Sequence, residues 1–132
     1  MSTKASIKHD SDINITQEDQ QKINKFARLN ARWEDLKEEM KQKENDIKNL
    51  EDACEELMLL DDDENIPYLT GEVFIYQNKE ATEESLEEAK QKKQEDINKL
   101  KENLGKLEET MNDLKLTLYA KFGGAINLEA ES

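Results

Sequence analysis

Two long stretches of the chain place apolar residues at alternating intervals of three and four, and this periodicity constrains the fold most. In the first stretch, all but two of the repeated positions are apolar. They are Lys22, Phe26, Leu29, Trp33, Leu36, Met40, Lys43, Ile47, Leu50, Cys54 and Leu57. A repeat of about 3.5 residues that persists this long is typical of a coiled coil, because it keeps one narrow stripe facing a partner helix. A solvated helix with scattered leucines would not hold this phase.

The second stretch repeats the pattern, again with two lysines among apolar residues. Its positions are Leu86, Lys90, Lys93, Ile97, Leu100, Leu104, Leu107, Met111, Leu114 and Leu118. The two stripes are similar in length and a short segment joins them, so we expect the helices to fold back antiparallel. In this register Trp33 should lie against Leu107 and Met111.

The ends of both helices carry their own signals. Thr16 is a fair N-cap, and Asp19 stands where the acidic residue of a capping box belongs. Thr82 is predicted to cap the second helix. Gly123 or Gly124 can take the left-handed conformation after its end. The predicted helices cover residues 16–60 and 82–122, and the tails, residues 1–15 and 123–132, are expected to be mobile.

Between the helices, residues 61–81 contain a stretch, IPYLTGEVFIY, that is rich in β-branched and aromatic residues. Its composition favours two strands, with a turn at Thr70-Gly71. An isolated hairpin is marginal in water, and a coiled-coil end offers little area to cover it. We therefore predict a mainly α fold, a long antiparallel two-helix coiled coil whose central β-hairpin completes an intersubunit β-barrel. A hairpin folded onto its own coil end is the alternative. The predicted assembly residues are Ile66, Tyr68, Leu69, Val73, Phe74, Ile75 and Tyr76.

Composition excludes several classes of protein. The net charge of −13 argues against binding to nucleic acid or to an anionic membrane surface. The first residues lack the apolar core of a secretory signal, and a single cysteine cannot form an internal disulfide, so we expect a reducing intracellular compartment.

No enzyme motif is present in the sequence. The one histidine, His9, lies in a polar tail, and Cys54 falls on the apolar stripe. We therefore predict no catalytic, cofactor-binding or metal site. One partial calcium-loop pattern begins at Asp61, but Ile66 replaces the required glycine and the residues after Glu72 favour a strand.

Four stretches, EDQQKINKFARLN, NLEDACEELMLLDDD, IPYLTGEVFI and LYAKFGGAINLEA, resemble a beta-class prefoldin subunit. The resemblance implies a hexamer of two alpha-class and four beta-class chains, whose hairpins build a double β-barrel with six projecting coiled coils. It implies a co-chaperone without ATPase activity or cofactors. Its partners would be other prefoldin subunits, non-native actin and tubulin, and the cytosolic chaperonin, in the cytoplasm and also in the nucleus.

A surface that captures non-native chains must offer apolar side chains without a fixed shape. The candidates lie at the ends of the chain and of its second helix: Ile13, Ile15, Tyr119, Phe122, Ile126 and Leu128. Alternatively, Tyr119 and Phe122 merely close the coil end over Phe26. Two other functions remain open at this stage, a structural tether that dimerises through its hairpin and a calcium-responsive helix-loop protein.

Overall fold

The structure, a computed structural model, describes residues 6–7 and 14–128 of the chain. Its contacts divide the chain into two units, one made of residues 1–39 and 100–132 and the other of residues 40–99. The elements are β1 (Ser6–Ile7), α1 (Gln17–Leu57), β2 (Ile66–Thr70), β3 (Val73–Gln77), α2 (Lys79–Phe122), a 3-10 turn (Gly123–Ala125) and β4 (Ile126–Asn127). The fold is mainly helical with a central antiparallel hairpin, as the sequence predicts.

Every predicted position of the two apolar stripes is buried or half-buried in the structure. The stripes therefore face one another, and the heptad prediction is confirmed. No helix in the described part of the chain is both long and apolar enough to cross a membrane.

Lys43 and Lys93 interrupt the stripe within the unit of residues 40–99. Lys43 Nζ lies 3.6 Å from the Asp96 carboxylate, and Lys93 Nζ lies 3.3 Å from the Asp46 carboxylate. Both pairs join α1 to α2 and confirm that the helices run antiparallel here. The aliphatic stems of the two lysines extend the apolar stripe while their charged heads meet an acid, which explains why lysine is tolerated.

The unit of residues 1–39 and 100–132 holds the main apolar cluster. Its buried members are Ile23, Phe26, Met111, Leu118, Phe122, Ile126 and Leu128, and its half-buried members are Leu29, Trp33, Leu107, Leu114 and Tyr119. Trp33 thus shares a cluster with Leu107 and Met111, as the heptad phase predicts. Ile23 and the segment after α2 enlarge this cluster beyond the narrow stripe that the heptad positions alone would bury.

The start of α1 is a reciprocal capping box. The Asp19 amide donates to Thr16 Oγ1 at 3.0 Å, and the Thr16 amide donates to Asp19 Oδ2 at 3.1 Å. Lys121, in the last turn of α2, also donates to Asp19 Oδ2. Asp19 therefore joins the first turn of one helix to the last turn of the other, which the capping pattern alone did not predict.

The start of α2 differs from the prediction. The helix begins at Lys79 rather than at residue 82, because Asn78 supplies the cap: its Oδ1 accepts from the Ala81 amide at 2.8 Å. The Thr82 hydroxyl instead donates to the Asn78 carbonyl at 2.9 Å, and Thr82 is buried. The helix ends at Phe122 as predicted, and Gly123 takes the left-handed conformation with φ of 57°.

The prediction of a mobile C-terminal tail is wrong for residues 123–128. These residues form the 3-10 turn and β4, and β4 pairs antiparallel with β1 through Ser6↔Asn127 and Ile7↔Ile126. The physical reason is burial, since Ile126 and Leu128 are only 4% and 1% exposed. The predicted mobility of the N-terminal tail is likewise wrong for Ser6–Ile7, which form β1. The predictions for residues 1–5, 8–13 and 129–132 lie outside the described residues.

The Asp19 contacts generate a pH prediction. The hydrogen bond from Lys121, followed by that from the Thr16 amide, lowers the pKa of Asp19 from 3.8 to about 2. A carboxyl whose pKa is lower in the folded state stabilises that state above its unfolded pKa, and the contribution disappears as pH falls through the folded pKa. We therefore expect the difference in thermal midpoint between wild type and Asp19→Asn to shrink as pH falls from about 4 to about 2.

Circular dichroism at 222 nm measures these midpoints. The control is Gln17→Ala, which changes an exposed, uncharged residue of the same helical turn, and its difference from wild type should stay constant over this range. If the thermal midpoint of wild type exceeded that of Asp19→Asn by the same amount at both ends of this pH range, the Asp19 carboxylate would not be the source of the difference.

Candidate assembly and binding surfaces

The hairpin has a defined register and a two-residue turn. Thr70 pairs with Val73 and Tyr68 with Ile75, which leaves Gly71 and Glu72 as the turn residues. The predicted turn at Thr70-Gly71 is therefore wrong by one position. Gly71 has φ of 64° and occupies the first central position, as in a type II′ turn, whose backbone twist matches that of the flanking strands.

The hairpin exposes most of its apolar side chains. Leu69, Phe74 and Tyr76 share one face and are 54%, 62% and 73% exposed. On the other face Tyr68 and Ile66 are half-buried, while Val73 and Ile75 remain exposed. The hairpin therefore does not fold down on its own coil end to bury a face. Exposed, contiguous apolar strands of this kind mark a surface that binds another polypeptide.

Two further exposed apolar residues follow directly after α1. Met58 and Leu59 are 71% and 85% exposed. The sequence analysis had counted them within a helix to residue 60, but α1 ends at Leu57. Leu59 and Leu60 then form tight-turn hydrogen bonds, from their amides to the carbonyls of Glu56 and Leu57, each at 3.1 Å. Because both residues lie off the heptad stripe, their spacing was the available signal that they face away from it.

Lys79 connects the end of α1 to the start of α2. Its Nζ donates to the carbonyls of Leu60 at 3.1 Å and Met58 at 3.4 Å, and it lies 3.5 Å from the Asp62 carboxylate. Carbonyls at a helix C-terminus lack helical partners and carry partial negative charge, so a lysine is favoured there. Lys79 therefore links the connection between α1 and β2 to the start of α2.

The predicted client-binding residues fall into three groups. Ile15 is 45% exposed, and Tyr119 is half-buried. Phe122, Ile126 and Leu128 are buried in the apolar cluster around Phe26. Ile13 lies outside the described residues. Phe122 thus closes the coil end over Phe26, as the alternative in the sequence analysis held.

A cavity of about 160 Å³ lies beside Leu128 in the same unit. Its lining residues are Phe26, Asn30, Trp33, Glu108, Met111, Asn112, Lys115 and Leu128. We call the part formed by Phe26, Asn30, Trp33 and Met111 the Leu128 groove. Asn30 is only 3% exposed, and its Nδ2 has no hydrogen-bond partner among the residues that the structure describes. Sequence reasoning missed Asn30, which lies next to a stripe position and looks like an ordinary polar residue.

The calcium-loop alternative fails on the structure. A calcium-binding loop of that type is followed by a helix, whereas the residues after Glu72 form strand β3. The fold is instead that of a long two-helix coiled coil with an exposed apolar hairpin between its helices.

Comparison with known proteins gives the family. A sequence-family profile described as "Prefoldin subunit" matches residues 20–125. Prefoldin subunit 4 of Bos taurus is 54% identical over 91% of this chain and 90% of its own length. Prefoldin subunit 4 of Homo sapiens is 53% identical with the same coverage of both chains. The crystal structure of the prefoldin beta subunit from Thermococcus strain KS-1 superposes with a TM-score of 0.74.

That superposition covers 83% of this chain and 96% of the Thermococcus chain at 16% identity, so it concerns the fold. The family follows from the profile and the sequence relatives: the chain belongs to the prefoldin subunit family. Prefoldin subunits are non-enzymatic components of a co-chaperone, and membership implies assembly with other prefoldin subunits.

The contacts of Lys79 predict how its removal acts. Lys79→Met keeps the aliphatic stem but leaves the Met58 and Leu60 carbonyls without their charged donor. We expect the free energy of unfolding to fall by about 1–2 kcal/mol. The Leu59 and Leu60 amides should exchange faster with deuterated solvent, because the turn that orders them is loosened.

Urea unfolding and hydrogen exchange of the assembled complex, both at one fixed protein concentration, measure these effects. Lys92→Met is the matched control, since Lys92 is an exposed lysine of the same helix. Wild-type exchange rates at Leu59 and Leu60 in Lys79→Met would show that the contact does not order the turn.

Proposed function

We propose that this chain is one of the beta-class subunits of a prefoldin hexamer with two alpha-class and four beta-class chains. The complex captures non-native proteins without ATP, actin and tubulin among them, and delivers them to the cytosolic chaperonin in the cytoplasm. The nucleus is left open as a second location. The observation that carries this proposal is the hairpin, which exposes Phe74 and Tyr76 on one face and Val73 on the other.

Assembly through the hairpin follows from its unpaired edges and its apolar faces. The sheet formed by β2 and β3 has two strands, so each strand has one outer edge of amides and carbonyls that can pair with a neighbouring chain. A strand added at each edge would continue the sheet toward the proposed intersubunit barrel. Burial of Leu69, Phe74 and Tyr76 on assembly would contribute on the order of 1.5–3 kcal/mol for each fully buried side chain.

Capture of clients is proposed for the unit of residues 1–39 and 100–132. Ile15 and Tyr119 offer accessible apolar surface there, and Phe122, Ile126 and Leu128 become available to a client only where the segment after α2 moves. Ile13 is included on its sequence alone. Weak contacts from several subunits would add through effective concentration, so no single one needs to be strong.

The acidic surface suits this role. A net charge of −13 keeps a complex that carries an apolar client soluble, and it can attract a basic patch on the downstream chaperonin. The structural tether, the alternative function, needs neither an adaptable apolar surface nor tolerance of a bound unfolded chain.

The first test concerns assembly. We expect the double substitution Phe74→Asp with Tyr76→Asp to block incorporation into the complex, and Val73→Asp with Ile75→Asp to do the same, because each pair places charge on one face of the hairpin. Both variants should keep the helical circular dichroism of wild type, since α1 and α2 do not depend on these side chains.

Sedimentation velocity with the partner subunits measures incorporation. Leu116→Asp is the matched control, because Leu116 is 71% exposed on α2 and lies outside the hairpin. It should assemble normally. Normal assembly of both double variants would exclude the hairpin as the assembly surface.

The second test concerns chaperone function. Actin diluted from denaturant should scatter less light in the presence of the assembled complex, with no ATP added, and the bound actin should move to the chaperonin on a native gel. The complex assembled without this chain should suppress scattering less. A structural tether would leave the scattering unchanged, and that result would refute the proposed function.

A further inference from the structure

The chain already holds an extended apolar segment on its own coiled coil. Ile126–Asn127 form the extended strand β4, with φ of −118° and ψ of 143° at Ile126, and Leu128 follows directly. Ile126 and Leu128 are buried, and Asn127 between them is exposed. This alternation is the way in which any strand-like peptide would present two apolar side chains to one surface.

The Leu128 groove has more space than the Leu128 side chain fills. The adjoining cavity of about 160 Å³ continues along Phe26, Trp33 and Met111. A cavity of roughly 150 Å³ is large enough to admit a benzene ring, and here apolar side chains line it together with the polar Glu108, Asn112 and Lys115. The groove could therefore accept an aromatic or a long aliphatic side chain as well as leucine.

Asn30 gives the groove a polar contact that the folded chain does not use. Its side chain is buried, and Nδ2 has no acceptor. A buried donor without a partner costs free energy, so a folded chain gains nothing from it unless the donor serves another purpose. The main-chain carbonyl of an extended peptide is the acceptor that would fit beside an apolar side chain.

We propose that the Leu128 groove binds an extended apolar segment of a non-native polypeptide, with Asn30 Nδ2 donating to a main-chain carbonyl of that segment. Residues 126–128 are the intramolecular occupant of this site, and the incoming segment displaces them. The inference rests on the proposed function and names the class of client segment that this subunit takes: extended, with apolar residues at alternate positions.

The docked segment is attached in a way that permits exchange. The Leu128 amide donates to the Tyr119 hydroxyl at 3.2 Å, and β4 pairs with β1 over two residues. Gly123 has a left-handed φ of 57°, and neither Gly123 nor Gly124 has any atom within 4 Å of the position that a Cβ would take. Few polar contacts therefore hold residues 126–128 in place, and their departure would open Nδ2 of Asn30 to the groove.

Trp33 allows a direct test, because it lines the groove and is the one tryptophan of the chain. We would assemble the complex with 5-fluorotryptophan in this subunit alone and record its ¹⁹F resonance. The probe is a capped peptide with the sequence of residues 125–130, AINLEA, and the control peptide replaces its isoleucine and leucine by serine. We expect the first peptide to shift the resonance in a saturable way and the second to leave it unchanged.

Two substitutions in the assembled complex distinguish the parts of the proposal. Leu128→Ala weakens the internal occupant, so the peptide should bind roughly threefold or more tightly. Asn30→Leu keeps the volume but removes the donor, so binding should weaken roughly two- to tenfold, while the thermal midpoint stays the same or rises. Asn49→Leu, an exposed asparagine of the same helix, is the control and should change neither quantity.

The remaining outcomes overturn the inference. An unshifted ¹⁹F resonance at millimolar peptide would mean that the groove takes only water. Weaker binding in Leu128→Ala would mean that Leu128 contacts the ligand, as the proposed client surface has it, and would overturn its role as the competitor in this groove. Unchanged binding in Asn30→Leu would remove the proposed hydrogen bond. If the peptide does not bind but the wild-type complex suppresses actin aggregation, the proposed function stands and the groove is not the client site. If the wild-type complex does not suppress actin aggregation, the proposed function itself is refuted.

Discussion

Burial along one narrow stripe is the constraint on which the structure depends. A helix in a two-helix coiled coil contacts its partner along a single line, so most of its circumference faces water. Charged residues accordingly occupy 39% of the positions, and the repeated stripe positions are mostly apolar. Where the seam must be thicker, other residues supply the width: Ile126 and Leu128, from beyond the end of α2, join the cluster around Phe26.

The same constraint explains how the helix ends are fastened. A coiled coil has little tertiary packing at its ends, so fraying must be limited by local contacts. In the unit of residues 1–39 and 100–132, Lys121 and the capping box of Thr16 share the Asp19 carboxylate. In the unit of residues 40–99, Lys79 donates to the last carbonyls after α1. In each unit, one lysine of α2 satisfies groups at one end of α1.

Sequence periodicity predicted the helices and their pairing, and β-branched and aromatic composition predicted the hairpin, because these depend on residues within short windows. The sequence did not predict the exact helix cap and turn position, because each depends on a single residue. Asn78 caps α2 in place of Thr82, and the turn falls at Gly71-Glu72 rather than one residue earlier. It also could not foresee that Leu128 is buried, because that depends on a contact with a distant part of the chain. The burial of Asn30 was equally hidden, since it depends on the residues that pack around it.

The residues that break the pattern lie on the surfaces proposed to meet other polypeptides. Phe74 and Tyr76 are apolar and exposed, and Asn30 is polar, buried and without a partner for Nδ2. Each arrangement costs stability in the isolated subunit, and each cost is removed by a second chain that covers the apolar group or accepts the hydrogen bond. Folding alone would select against such residues, so their concentration at the hairpin and the Leu128 groove is what binding would leave in a sequence. The subunit is therefore least self-sufficient at the surfaces where we propose that its partners bind.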